Sequence, residues 1–210
     1  MDRRVLHVAA AVLGASLLLL IGCLGVQQLS RFYVLSVPPS AETPAPVGAA
    51  APSPAIGLGP LTFPKYLDRP QIVTRISPYE LKASEFERWA EPLETNFARV
   101  LAENLAVQIP TDRVNLFPWP RTTPIEYQVT VDVTEFYVEM DGQSSLVALW
   151  SIFKGEGKEA LLSRKSRLRA PASTQEYGAM VAAMSQTVAD LSRDIAGALR
   201  TLTSRPAPSP

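Results

Sequence analysis

Residues 127–142 read YQVTVDVTEFYVEMDG. Tyr127, Val129, Val131 and Val133 alternate with Gln128, Thr130 and Asp132, the period of two expected of a half-buried strand. The apolar set then shifts phase to Phe136, Val138 and Met140. A slip of one residue would send every later side chain to the opposite face, so the shift predicts a β-bulge near Thr134-Glu135. Asp141-Gly142 is a hairpin turn pair. Leu146 to Phe153 returns, Lys154-Gly155-Glu156-Gly157-Lys158 turns again, and Leu161 to Ala170 makes a third strand. Residues 126–169 are therefore an antiparallel meander, around which the fold must be built.

Downstream, Ser173-Thr174-Gln175-Glu176 has the spacing of a capping box. Tyr177, Met180, Val181, Met184, Val188, Leu191, Ile195, Ala198, Leu199 and Leu202 follow at helical spacing, one apolar face over about seven turns. Two readings of this helix stand: packed on the sheet, or lying on lipid. Its polar face (Gln186, Asp190, Arg193, Asp194, Arg200) is mixed in sign, unlike a membrane-surface helix.

Upstream, Arg31–Val37, Ile56–Phe63, Gln71–Ile76, Tyr79–Ala83 and Val114–Phe117 read as strands. Ser84-Glu85-Phe86-Glu87 has the form of another capping box. The main first helix is expected from Glu91-Pro92, with Leu93, Phe97, Val100, Leu101, Asn104 and Leu105 as its stripe and Pro110 as its end. Gly57-Leu58-Gly59 lacks a third glycine and a following helix, so it is not a phosphate loop. Two helices and about seven strands predict a mixed α/β sheet covered by helices. Residues 38–55 hold six prolines and six alanines and predict an extended surface insertion between the first two strands. Residues 204–210 predict a disordered tail.

The N-terminus combines Arg3 and Arg4, an apolar run from Val5 to Ile21, and Leu20-Ile21-Gly22-Cys23. A charged start, an apolar core and a small residue before the cut make a secretory signal. The run is marginal for a membrane span, which needs ~20 apolar residues. Cys23 is the single cysteine in the chain. The stretch is similar to a bacterial lipobox, which implies a signal peptide over 1–22, a diacylglyceryl thioether on Cys23 and a further acyl chain such as palmitate on its freed amine. An uncleaved signal anchor is the alternative. Residues 23–30 form a short tether to a domain over 31–203.

Losing Arg3, Arg4 and Asp2 leaves 18 basic and 19 acidic residues. That balance gives no sign of nucleic-acid binding. The single histidine, His7, leaves with the signal. Serine–histidine and cysteine–histidine nucleophilic sites and zinc sites of the nitrogen–sulfur type are thereby excluded from the mature chain. No spacing singles out a carboxylate pair, so an enzyme is not expected, and neither is a cofactor or metal.

Several stretches resemble the ABC-type transport auxiliary lipoproteins of the PqiC/YmbA group. They are Ile56-Gly57-Leu58-Gly59-Pro60-Leu61, Pro64 to Arg75 (PKYLDRPQIVTR), Arg88-Trp89-Ala90-Glu91-Pro92-Leu93, Leu101-Ala102-Glu103-Asn104-Leu105, Pro118-Trp119, the Trp150 strand and Leu191 to Ala196 (LSRDIA). The resemblance covers residues 31 to about 202. It implies a single three-layer αβα domain with a mixed sheet, similar to the anticodon-binding-like fold. It also implies a non-catalytic accessory role beside an MCE-domain periplasmic protein of an ABC-type lipid transporter, docked at the outer membrane through the lipid anchor. Leu24, in place of an aspartate, favours the outer membrane under enterobacterial sorting. A structural or assembly lipoprotein of the outer membrane, without lipid cargo, is the alternative. A closed homo-oligomer would suit the end of a tunnel.

Two surfaces follow as candidates. Tyr66, Leu67, Asp68, Arg69 and Gln71, in the loop before the third strand, form a candidate partner-binding surface or a local structural turn. Lys165, Arg167 and Arg169 share one face of the last strand, with Arg164 beside them. They suit anionic head groups, or a charged edge that resists pairing with another chain.

Overall fold

The computed structural model describes residues 28–39, 54–109, 111, 113–155 and 157–204. The expected signal peptide, Cys23, most of the Pro/Ala-rich stretch and residues 205–210 lie outside them. The described elements, in order, are β1 (Arg31–Tyr33), β2 (Ile56–Thr62), a 3₁₀ turn (Lys65–Leu67), β3 (Gln71–Ser77), β4 (Glu80–Trp89), α1 (Leu93–Gln108), β5 (Val114–Leu116), β6 (Tyr127–Glu139), β7 (Gln143–Lys154), β8 (Ala160–Pro171) and α2 (Tyr177–Thr203).

The meander is present as expected. β6 pairs antiparallel with β7, and β7 with β8. The bulge falls where the phase shift placed it: the register steps from Val133↔Ala148 to Glu135↔Val147, leaving Thr134 unpaired. The step keeps Val133 and Phe136 both buried. Thr134 donates its hydroxyl to the Val147 carbonyl at 3.2 Å, which holds the bulge.

The other edge of β6 is shared. β2 runs parallel to it from Ile56↔Tyr127 to Thr62↔Asp132. β3 joins it, also parallel, at Thr74↔Val138 and Arg75↔Glu139. β5 flanks β2, while β4 and then β1 extend beyond β3. Among the described residues the result is one mixed eight-stranded sheet with two α-helices, in the expected mixed α/β class.

The described elements make a single mixed α/β domain, as the resemblance implied. α1 and α2 pack on each other and share one face of the sheet. Leu146, Ala148, Trp150 and Ile152 of β7 point into that core, as do Phe97, Leu101, Met184, Val188 and Ile195 of the helices. On the opposite face Asp132, Leu149, Lys165 and Arg167 are exposed. The described elements thus form two layers, because both apolar helix faces are used on one side.

Three local expectations need correction. β4 runs to Trp89 instead of stopping at Ala83. Ser84 does accept the Glu87 N–H, at 3.1 Å, the contact a capping box would make. The backbone there is a strand bulge, however: Gln71 pairs with Arg88 but Val73 with Ala83. At the second such motif Thr174, not Ser173, accepts the Glu176 N–H, at 3.3 Å, and α2 starts only at Tyr177. Finally, β1 ends at Tyr33. Leu35 leaves the sheet for the core, and the Asn96 side chain of α1 takes over its pairing. Leu35 N donates to Asn96 Oδ1 at 2.6 Å, and Asn96 Nδ2 donates to Leu35 O at 3.3 Å. Ser36 N donates to Ser185 Oγ of α2 at 3.2 Å, so the entry segment is held by both helices.

A groove between the 65–70 turn and the start of α1

β2 leaves β6 after Asp132, and β3 meets it only at Val138. The chain between them crosses this gap as the 3₁₀ turn. Tyr66 is half-buried there and hydrogen-bonded to the Phe136 backbone, on the stretch of β6 that neither strand covers. Burial pushes its phenol above the usual 10, with the Phe136 bond pulling the other way. Leu67 enters the core at 5% exposure. Phe63 packs edge-on against Phe97 at 5.1 Å, tying the turn to α1.

Asp68 and Arg69 stay exposed, and Pro70 accepts the Trp89 N–H at 2.7 Å. That bond places the end of β4 beside the turn. Between them lies a groove of about 640 Å³. Leu67, Trp89 and Leu93 make a buried apolar floor. Lys65, Asp68 and Arg69 rim one wall; Glu91, Glu94 and Thr95 rim the other. Glu91 is steadied by Arg99 Nη2 at 2.6 Å. One wall therefore carries two cations and one carboxylate, a net positive charge, and the other carries two carboxylates.

The five residues predicted as a partner-binding surface thus divide. Asp68 and Arg69 stand on the rim. Leu67 forms floor. Tyr66 anchors the turn, and Gln71 is half-buried in β3 opposite Arg88. The wall from Trp89 to Thr95 was missed. Its signal was present in the RWAEPL stretch, but a strand expected to end at Ala83 left Trp89 with no route to Pro70.

Other family-like stretches have structural employment. Gly57 lies against Trp119: a Cβ there would sit 2.8 Å from the indole. Gly59 has φ +127°, and a Cβ would come within 2.6 Å of Phe117. Phe117 and Trp119 meet edge-to-face at 5.4 Å, so the two glycines are bare because these rings cover them. Trp150 Nε1 donates to Ser166 Oγ at 3.0 Å, and Ser166 donates to Asp194 at 2.6 Å. This chain joins β7, β8 and α2.

Lys165, Arg167 and Arg169 are exposed on β8, with Ser166 buried between them, and β8 pairs with β7 alone. Among the described residues no group of three or more acidic, histidine or cysteine side chains is placed to hold a metal. No described helix is long and apolar enough to cross a membrane.

Residues 33–196 match the sequence model of the ABC-type transport auxiliary lipoprotein component family. No curated protein matches the chain's sequence. Among solved structures, protein XCC0632 from Xanthomonas campestris, of the DUF330 family, is similar with a TM-score of 0.67 and 17% identity, over 84% of this chain and 100% of that one. An uncharacterised protein is similar with a TM-score of 0.67 and 20% identity, over 82% of this chain and 99% of that one. These likenesses show the fold. The match over 33–196 goes further: the chain belongs to the ABC-type transport auxiliary lipoprotein component family.

Proposed function

We propose that the protein is a non-catalytic lipoprotein, acylated at Cys23 and held at the periplasmic face of the outer membrane. There it docks the MCE-domain component of an ABC-type lipid transporter. The observation that carries this is the groove. It brings the 65–70 turn and the 89–95 segment, two separate family-like stretches, onto one rim. Its oppositely charged walls and narrow apolar floor suit a polar peptide segment with one apolar side chain. An acyl chain would need an enclosed apolar lining instead. The domain therefore docks rather than carries.

Acylation gives about 0.8 kcal/mol per buried CH₂, so multiple chains hold the protein on the membrane while it engages its partner. The test is affinity recovery of the full chain from crosslinked envelopes, read by mass spectrometry, with Asp68→Ala/Arg69→Ala and Cys23→Ala in parallel. The wild type should recover an MCE-domain protein, and both variants should lose it. Recovery of outer-membrane assembly or cell-wall proteins in its place would overturn the transport role. Undiminished recovery by Asp68→Ala/Arg69→Ala would remove the groove from it.

A further inference from the structure

The parallel pairing of β3 with β6 sets two turns side by side at one end of the sheet. One is Pro78-Tyr79, between β3 and β4; the other is Met140-Asp141, between β6 and β7. Tyr79 is 99% exposed, Met140 56% and Leu81 42%. The end is nonetheless well braced. Arg75 donates from Nε to Ser77 O at 3.3 Å and from Nη2 to Pro78 O at 3.1 Å. Its guanidinium also bonds the Tyr137 phenol and lies 4.8 Å from that ring's centre. Tyr137 in turn donates to Glu135 at 2.8 Å. The neighbouring turn is closed by Gly142 N on Glu139 O, 2.9 Å, and by Ala172 N on Gly142 O, 2.9 Å.

The chain enters the domain from this end. β1 is parallel to β4, with Arg31 opposite Glu87, so the segment before Arg31 heads back toward the Pro78-Tyr79 turn. Gln71 pairs with Arg88, one residue along from that level. From Gln71 to Pro78 is seven strand steps, roughly 23 Å. From Cys23 to Arg31 is eight residues, a reach of roughly 26–29 Å. Cys23 can thus arrive level with Tyr79 by continuing straight. The loop preceding Tyr127 lies the other way. Thr74↔Val138 sets Gln71 level with about residue 135, eight steps or roughly 26 Å from Tyr127. The same eight residues would reach it only by reversing at Arg31 and running at full stretch.

We propose that this end of the sheet rests on the lipid surface in which the anchor is embedded, with Tyr79 and Met140 entering the headgroup layer. The inference rests on the Cys23 acylation proposed above. A tyrosine, apolar in its ring and polar at its tip, suits that boundary. Glu80, Glu139 and Asp141 border the end and outnumber Arg75 and Arg169 beside them, so its contact draws on Tyr79, Met140 and the acyl chains, not on attraction to anionic lipid.

The test uses the full-length acylated chain in vesicles of phosphatidylethanolamine and phosphatidylglycerol with brominated acyl chains. Tyr79→Cys, Met140→Cys and Arg121→Cys are labelled singly with an environment-sensitive fluorophore. Acylated Cys23 is a thioether and does not react. Labels at 79 and 140 should shift to the blue and be quenched, and the label at 121 should do neither. Quenching at 121, or at no position while mass spectrometry finds Cys23 acylated, would overturn the orientation and leave the anchor standing. Unmodified Cys23 in the purified chain would overturn both.

Discussion

Asn96 shows how one side chain can replace a strand. It sits on the buried face of α1 at 1% exposure, and its amide is matched to the backbone of Leu35 as a neighbouring strand would be. Truncating it leaves a buried N–H and C=O without partners. A buried group so orphaned costs roughly 1–3 kcal/mol. Asn96→Ala should therefore lower stability by about 2–6 kcal/mol for the two groups together. Urea unfolding followed by circular dichroism measures it. Asn96→Asp should recover only part, since a carboxylate accepts the Leu35 N–H but cannot donate to its carbonyl. The apolar stripe of α1 takes in Asn104, between Leu101 and Leu105, but omits Asn96, whose partner Leu35 lies sixty-one residues away.

The bulge in β6 is a matter of the element. Thr134 absorbs the phase change between Tyr127–Val133 and Phe136–Val138, and both halves keep their apolar side chains on the helix face. Deleting Thr134 would set Val133 next to Glu135, restore plain alternation and keep Phe136 and Val138 on the helix face. Deletion should therefore keep a single cooperative calorimetric transition, and loss of that transition would show that the bulge itself is required. Thr134→Ala, which loses one part-buried hydrogen bond, should cost about 1 kcal/mol. The bulge was readable from residue types alone because period-two alternation registers a slip directly. The bulge at Ser84–Glu87 was not. Its Ser–Glu spacing makes the same local hydrogen bond in a helix cap and in this strand, and only pairing with β3 and β1 selects the strand.

The whole molecule should respond to alkali. Tyr66, Tyr137 and Tyr33 all have phenols raised above 10 by burial. Such a group holds its proton longer folded than unfolded. Stability is therefore fully present below about pH 10 and falls as pH rises through the folded values. The urea midpoint should start to drop as pH rises past about 10, the unfolded tyrosine value, and go on falling until the raised folded values are passed. Tyr66→Phe should be less stable at neutral pH by about 1 kcal/mol, through loss of its bond to Phe136, yet decline less steeply with alkali. A decline as steep as the wild type's would mean that Tyr66 does not contribute to it.

The sequence alone determined the class of the fold, the meander, both apolar helix faces and the absence of histidine beyond His7. These are local matters: periodicity, turn chemistry and residue type survive in a linear chain. The tertiary structure decided which face the helices share, how far β4 extends, and that Pro70 meets Trp89. It also decided that Gly57 and Gly59 answer to Trp119 and Phe117, about sixty residues away. Those outcomes depend on partners distant in sequence competing for one backbone edge or one patch of surface. No window along the chain contains both competitors.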